Sequence, residues 1–127
     1  MTDVYLDTSA AMKLVVEEPE SDALAKWIHH SSPRLVSSRL LCTELHCAAW
    51  RQRIDGELVR AVLDRVSLLS IHDGILMRAG QGRSELRSAD AIHLYSAMDA
   101  GLREMLVYDG ELAHGARGMG FVISQPK

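Results

Sequence analysis

Short runs rich in aliphatic and β-branched residues alternate along this chain with longer stretches of helical periodicity, and that alternation restricts the fold to one class. The run "VYLD" (4–7) reads as a first strand and feeds the helical pattern "TSAAMKLVV". "EEPESDALAKWIHH" reads as a second helix with Pro19 near its start, and "PRLVS" as the second strand. Helices are expected over about residues 38–53 and 56–66, then "SLLSI" as a third strand, then a glycine-weakened helix over "HDGILMRAGQG". "RSADAIHLYSAMDAG" is a further helix, capped by Ser88 and stopped at Gly101. "EMLVYD" and "GFVIS" complete five strands around the short helix "GELAHGARG". Strands joined by helices imply a mostly parallel five-stranded α/β sheet flanked by helices on both faces, with right-handed crossovers. All strand C-termini then share one edge, and ligands of such sheets bind there, where the strand order reverses.

One residue breaks the pattern of the third helix. In "RLLCTELHCAAW", Leu41, Leu45, Ala48 and Ala49 mark a buried stripe, and Glu44 falls inside it. A lone ionised carboxylate removed from water costs several kcal/mol, so either Glu44 sits at the rim of the stripe or something positive meets it. Asp90 repeats the anomaly, sharing the stripe of Leu94, Ala97 and Met98. Asp7 ends the first strand and Asp109 the fourth, which puts four acids toward one edge.

Each acid has an ordinary alternative. Asp7, before Thr8 and Ser9, suits a helix N-cap. Asp90 suits the positive end of a helix dipole, and Asp109 before Gly110 suits a turn or a cap. If the four converge, two carboxylates about 4 Å apart repel by about 4 kcal/mol at an effective dielectric of 20. Such a cluster protonates or binds cations, and an all-oxygen set suits Mg²⁺ or Mn²⁺ rather than zinc. Those ions perform phosphoryl chemistry by activating water and clamping phosphate oxygens.

At 127 residues and 47% hydrophobic, the chain is expected to form one domain over 1–127. No basic-then-apolar leader opens it, and no apolar run is long enough for a membrane span, so a cytoplasmic protein without membrane partners is expected. Cys42 and Cys47, five apart on one helix, face different ways and read as reduced thiols. A net charge of −3 is not that of a chain that coats nucleic acid, so any polyanion contact must be local. Cations are mostly arginine, a residue suited to bidentate phosphate contacts, although most are read as solvated helix faces.

Four segments, in order, carry a resemblance: "YLDTSAAMKL", "SSRLLCTELHCA", "RSADAIHLYSA" and "LVYDGELAHGA". Over its whole length the chain resembles the PIN-domain ribonucleases, and within them the VapC-type toxins of bacterial toxin–antitoxin pairs. The resemblance implies a PIN-like fold and Mg²⁺-dependent endonucleolytic cleavage of RNA, with Mn²⁺ as a substitute. It also implies a homodimer and a cognate antitoxin whose segment lies across the acidic pocket. Carried over residue by residue, the acidic metal site falls on Asp7, Glu44, Asp90 and Asp109, the four acids already isolated. One position departs from the family, which often has Thr or Ser two residues before the last acid where this chain has Val107. Thr8 and Ser9 are the nearby hydroxyls that stand in as supporting residues.

The remaining residues have plainer readings. Arg83 and Arg87, just before the Asp90 helix, are the candidate RNA-phosphate contacts. His93, three after Asp90, reads as a satisfied structural histidine, with contact to the site as the alternative. Glu111 reads as a first-turn acid rather than a further metal ligand. Met12, Leu14, Val15 and Trp27 read as core or subunit contacts. Two rivals stand beside the nuclease: a PIN-like scaffold that binds a partner without cleaving, and a phosphoacceptor receiver domain with Asp73 as acceptor. The receiver lacks its second strand-one acid and its strand-five lysine here.

Overall fold

Val4, Tyr5 and Leu6 are all completely buried, the mark of a strand covered on both faces, and the sheet is built outward from them. The computed structural model describes residues 2–127, so the first residue of the expected single-domain span lies outside it. β1 (Asp3–Leu6) is followed by α1 (Thr8–Val15), α2 (Ser21–Ser31), β2 (Arg34–Ser38), α3 (Arg39–Gln52) and α4 (Gly56–Leu63). Then come β3 (Ser67–Leu69), α5 (Asp73–Ala79), α6 (Ser88–Asp99), β4 (Glu104–Leu106), α7 (Gly110–Gly118) and β5 (Val122–Ser124). The five strands run in the order β3-β2-β1-β4-β5, every neighbouring pair parallel.

The period-two alternation of the strands divides the core into two layers. Val4, Leu6 and Leu106 point to one face, where they pack with Ala10, Ala11, Leu24, Leu41, Leu45 and Val59 of α1 to α4. Tyr5, Met105 and Val107 point to the other, against Leu94 and Ala97 of α6 and Leu112 and Ala116 of α7. Met12, Leu14, Val15 and Trp27 pack, partly buried, on the rim of the first layer. The strand order reverses between β1 and β4, which pair through Tyr5 with Met105 and Leu6 with Leu106. The crevice at their carboxyl ends is therefore the switch point of the sheet.

Several boundaries differ from the sequence expectation, each for a local reason. Residues 17–20 do not join α2: the Ser21 hydroxyl accepts from the Glu18 N–H and donates to the Val16 carbonyl, bending the chain before the helix starts, so Pro19 lies outside it. Ser88 is the first residue of α6 and not its cap; Arg87 holds the cap position and makes no side-chain capping bond. β4 stops at Leu106 because its continuation, Tyr108 and Asp109, gives its backbone N–H groups to the Ser9 hydroxyl in place of a sheet partner. α5 contains Gly74 but ends at Ala79, before Gly80 and Gly82.

Leu41 is completely buried and lies on the helix that carries Glu44. Replacing it with Ala is expected to lower the unfolding free energy by about 3 kcal/mol, read from urea denaturation, as deletion of a core leucine normally does. A loss below about 1 kcal/mol would mean that α3 does not anchor on the first core layer.

Candidate acidic active site

Asp7 immediately follows β1 and turns the chain into α1. It is buried, with 4% of its surface exposed, and its Oδ2 accepts from the Ser9 backbone N–H at 3.0 Å and the Ser9 hydroxyl at 2.6 Å. The expected N-cap role is therefore present, and it coexists with a place at the switch point. The same Ser9 oxygen accepts from the backbone N–H of Tyr108 at 2.8 Å and of Asp109 at 3.2 Å. One hydroxyl thus ties the end of β1 to the segment that presents the last acid. Asp109 in turn caps α7, its Oδ1 accepting from the Leu112 N–H at 3.0 Å.

This geometry bears on Val107, which is fully buried in the second core layer and supplies no hydroxyl. Ser9 fixes the backbone of Asp109 from across the sheet instead. The hydroxyls of Thr8 and Ser9 both contact acids, Thr8 donating to Glu44 Oε1 at 2.7 Å and Ser9 to Asp7.

Glu44 is neither isolated nor simply solvated. Its side chain is 31% exposed, and its inner oxygen, Oε1, receives Thr8 and also lies 2.6 Å from His93 Nε2. Burial pulls its pKa upward, but the bonds from His93 and Thr8 outweigh that and hold the carboxyl below its ordinary range. The positive partner that the α3 stripe demanded is therefore His93, contributed by α6. Its ring is buried, with Nδ1 2.7 Å from the Tyr5 hydroxyl and Nε2 3.8 Å from Asp7 Oδ1. Burial opposes a charged ring here, yet the bond to Glu44 and the charge of Asp7 raise the His93 pKa to about 10.

Asp90 stands in the first turn of α6 and, among the described residues, its carboxylate takes no hydrogen bond. Burial and the negative charges of Asp109, Asp7 and Glu44 raise its pKa to about 6, against a smaller opposing effect of His93. Asp90 thus senses the charge of the other three acids. The four do not form a closed coordination set: among the described residues no three His, Cys, Asp or Glu side chains stand close enough together to hold a metal ion. Arg87 and Arg83 are exposed, the first at the α6 N-cap and the second in the loop before it. Glu111 is an exposed first-turn acid of α7. Asp73, the acceptor in the receiver alternative, is an exposed first residue of α5, away from the β1–β4 crevice.

Sequence reasoning singled out the four acids, read His93 as a satisfied structural histidine with contact to the site as the alternative, and gave Tyr5 no role beyond the first strand. Their signal was present: a histidine one helical turn after an inward acid, on a stripe facing a β1 tyrosine. What could not be read is the pairing of residues 49 and 88 positions apart.

A family model for the PIN domain matches residues 4–118. Ribonuclease VapC46 of Mycobacterium tuberculosis is 32% identical, with 99% of each chain covered. Among solved structures, Mycobacterium tuberculosis VapC20, described as a Sarcin-Ricin loop cleaving toxin, superposes with a TM-score of 0.78 at 19% identity, covering 97% of this chain and 99% of that one. A toxin–antitoxin complex from Klebsiella pneumoniae gives 0.74 at 20% identity, covering 98% of both chains. At these identities the two structures speak for the fold alone.

Folding raises the Asp90 pKa from 3.8 to about 6, so between those values the folded protein keeps a proton that the unfolded chain has lost, and stability falls as pH rises through the window. In EDTA, Asp90→Asn is expected to remove this fall and stabilise the protein near neutral pH by about 1 kcal/mol after solvent screening. That corresponds to roughly 3–5 °C in Tm. Thermal denaturation below and above the window checks it; an equal shift on both sides would contradict the electrostatic origin.

Proposed function

The chain belongs to the PIN-domain family, and from that premise we propose that it is a divalent-metal-dependent endoribonuclease acting as the toxin of a toxin–antitoxin pair. The observation that carries this reading is the Asp90 carboxyl, whose pKa is raised to about 6 by burial together with the negative charges of Asp109, Asp7 and Glu44. Ribonuclease VapC46, 32% identical with 99% of each chain covered, is a relative of similar length and supports the ribonuclease reading.

The donor set fits a hard cation: it is all carboxylate oxygen, and among the described residues its negative charge is offset within the site by His93. Asp7, Asp90 and Asp109 would hold Mg²⁺, or Mn²⁺ in its place, with Glu44 ligating or orienting the attacking water. Binding by this set includes a side-chain rearrangement, since the ligands are not yet grouped. Bound there, the ion would supply Lewis acidity to a phosphate oxygen and an activated water, giving 5′-phosphate and 3′-hydroxyl ends. The protein's own part is to fix the acids: Ser9 locks Asp7 to the Asp109 backbone, while Thr8 and His93 fix Glu44.

Because the nucleophile is water, cleavage does not require the ribose 2′-hydroxyl, and selection of RNA rests on binding. Arg83 and Arg87, exposed beside the start of α6, are the proposed phosphate contacts. The reading includes a homodimer and an antitoxin segment laid across the acidic crevice, acting in the cytoplasm where the RNA is; no helix among the described residues is long and apolar enough to cross a membrane.

Purified protein incubated with a mixed RNA pool is expected to cleave it in Mg²⁺ and not in EDTA. Asp7→Asn, with its fold confirmed by circular dichroism, is expected to lose activity by on the order of 100-fold or more. Cleavage that persists in EDTA or in Asp7→Asn would overturn the site, and a folded protein inert with every divalent ion would favour the scaffold that only binds.

A further inference from the structure

The carboxylate of Glu44 is held by a chain of hydrogen bonds that begins in the centre of the sheet. The Ser38 backbone N–H donates to the Tyr5 hydroxyl oxygen at 3.2 Å, and that hydroxyl lies 2.7 Å from His93 Nδ1. His93 Nε2 lies 2.6 Å from Glu44 Oε1, and Thr8 Oγ1 donates to the same oxygen at 2.7 Å. The Tyr5 and His93 rings meet edge to face, with centroids 5.7 Å apart. Every link before Glu44 is buried or half-buried, and both rings are locked by the core.

Proton positions follow from the donor inventory. Glu44 is ionised, so a 2.6 Å contact to Oε1 requires the hydrogen on Nε2. With the ring charged, Nδ1 donates to the Tyr5 oxygen, which also accepts from the Ser38 N–H. Loss of the Nδ1 proton would reverse only the Tyr5 link, leaving Nε2 as donor to Glu44. The orientation of Glu44 is therefore independent of the charge on the ring. Oε1 is taken by two donors, which leaves Oε2 as the oxygen open to the crevice.

We propose that His93 is a positioning residue, which, held by Tyr5, fixes Glu44 in one rotamer so that Oε2 alone is presented to the reacting centre. This rests on the nuclease reading above. A glutamate has three side-chain torsions to immobilise, and two donors on one oxygen remove that freedom before substrate arrives. A hydrophobic residue at position 93 would fill the space but leave Glu44 to wander or to pair with the wrong group.

The test has two arms. In the first, kcat and KM for RNA cleavage are measured for His93→Leu, His93→Gln, Glu44→Ala and the Glu44→Ala/His93→Leu double variant, each checked for folding. His93→Leu is expected to lower kcat by about 10–100-fold, as loss of a partner that orients a metal ligand does, with KM nearly unchanged. His93→Gln, whose amide N–H still donates, is expected to recover much of the loss. The double variant is expected to match Glu44→Ala, because a residue acting only through Glu44 has nothing left to act on. Losses that multiply, or a His93→Leu enzyme with wild-type kcat, overturn the proposal.

The second arm needs no activity. In ¹⁵N-labelled, metal-free protein the His93 Nε2 proton is expected as a downfield, slowly exchanging resonance that shifts in Glu44→Ala and in Tyr5→Phe. A wild-type spectrum without it, or one unmoved by either variant, overturns the bond chain. A protein that shows the resonance but cleaves no RNA would instead contradict the nuclease reading.

Discussion

Mutual repulsion of carboxylates at the switch point is the constraint around which this molecule is arranged. Two such charges about 4 Å apart would cost about 4 kcal/mol at an effective dielectric of 20, and Asp90 feels the charges of Asp109, Asp7 and Glu44. The structure contains that cost by capping and by pairing. Asp7 caps α1 and Asp109 caps α7, and the Ser9 hydroxyl joins their segments. Glu44 is matched to a buried histidine. Asp90 takes no side-chain hydrogen bond among the described residues, and burial together with the charges of Asp109, Asp7 and Glu44 raises its pKa to about 6. A fold that served stability alone would have no use for an unpaired carboxylate there.

The sheet supplies the rigidity for this arrangement. β1 is buried on both faces, and its last two residues and the one that follows do different work: Leu6 anchors one core layer, Tyr5 anchors the other and carries the hydroxyl that reaches His93, and Asp7 turns the chain out of the sheet into α1. Strand alternation thus converts a four-letter stretch, "YLDT", into a wall, a tether, an acid and the hydroxyl that donates to Glu44. Membership of the PIN-domain family accounts for the order of these elements. The physical reason for the spacing is that each acid leaves a different strand or helix at the same edge.

Much of this was legible in the sequence because the signals are periodic. The strand–helix alternation specified a parallel sheet, and the acids stood out because Glu44 and Asp90 interrupt apolar stripes. What was not legible depends on contacts between distant segments. Ser88 looked like a cap because serine favours that position, but the chain enters α6 with Arg87 at the cap. The strand over "EMLVYD" looked continuous, yet Ser9 captures Tyr108 and Asp109 from almost a hundred residues away. His93 looked like a structural histidine, and it is core by burial; only the fold brings it to Glu44.

The proposed chemistry requires of this edge a divalent-cation site made by Asp7, Asp90 and Asp109 with Glu44 beside them. Its most direct measurement is a crystal structure grown with Mn²⁺, using anomalous scattering to place the metal without reference to the protein. The account predicts an anomalous peak in the β1–β4 crevice, within coordination distance of oxygens from at least two of these aspartates. A crevice without a peak at millimolar Mn²⁺, or a peak whose ligands include none of the four acids, would contradict it.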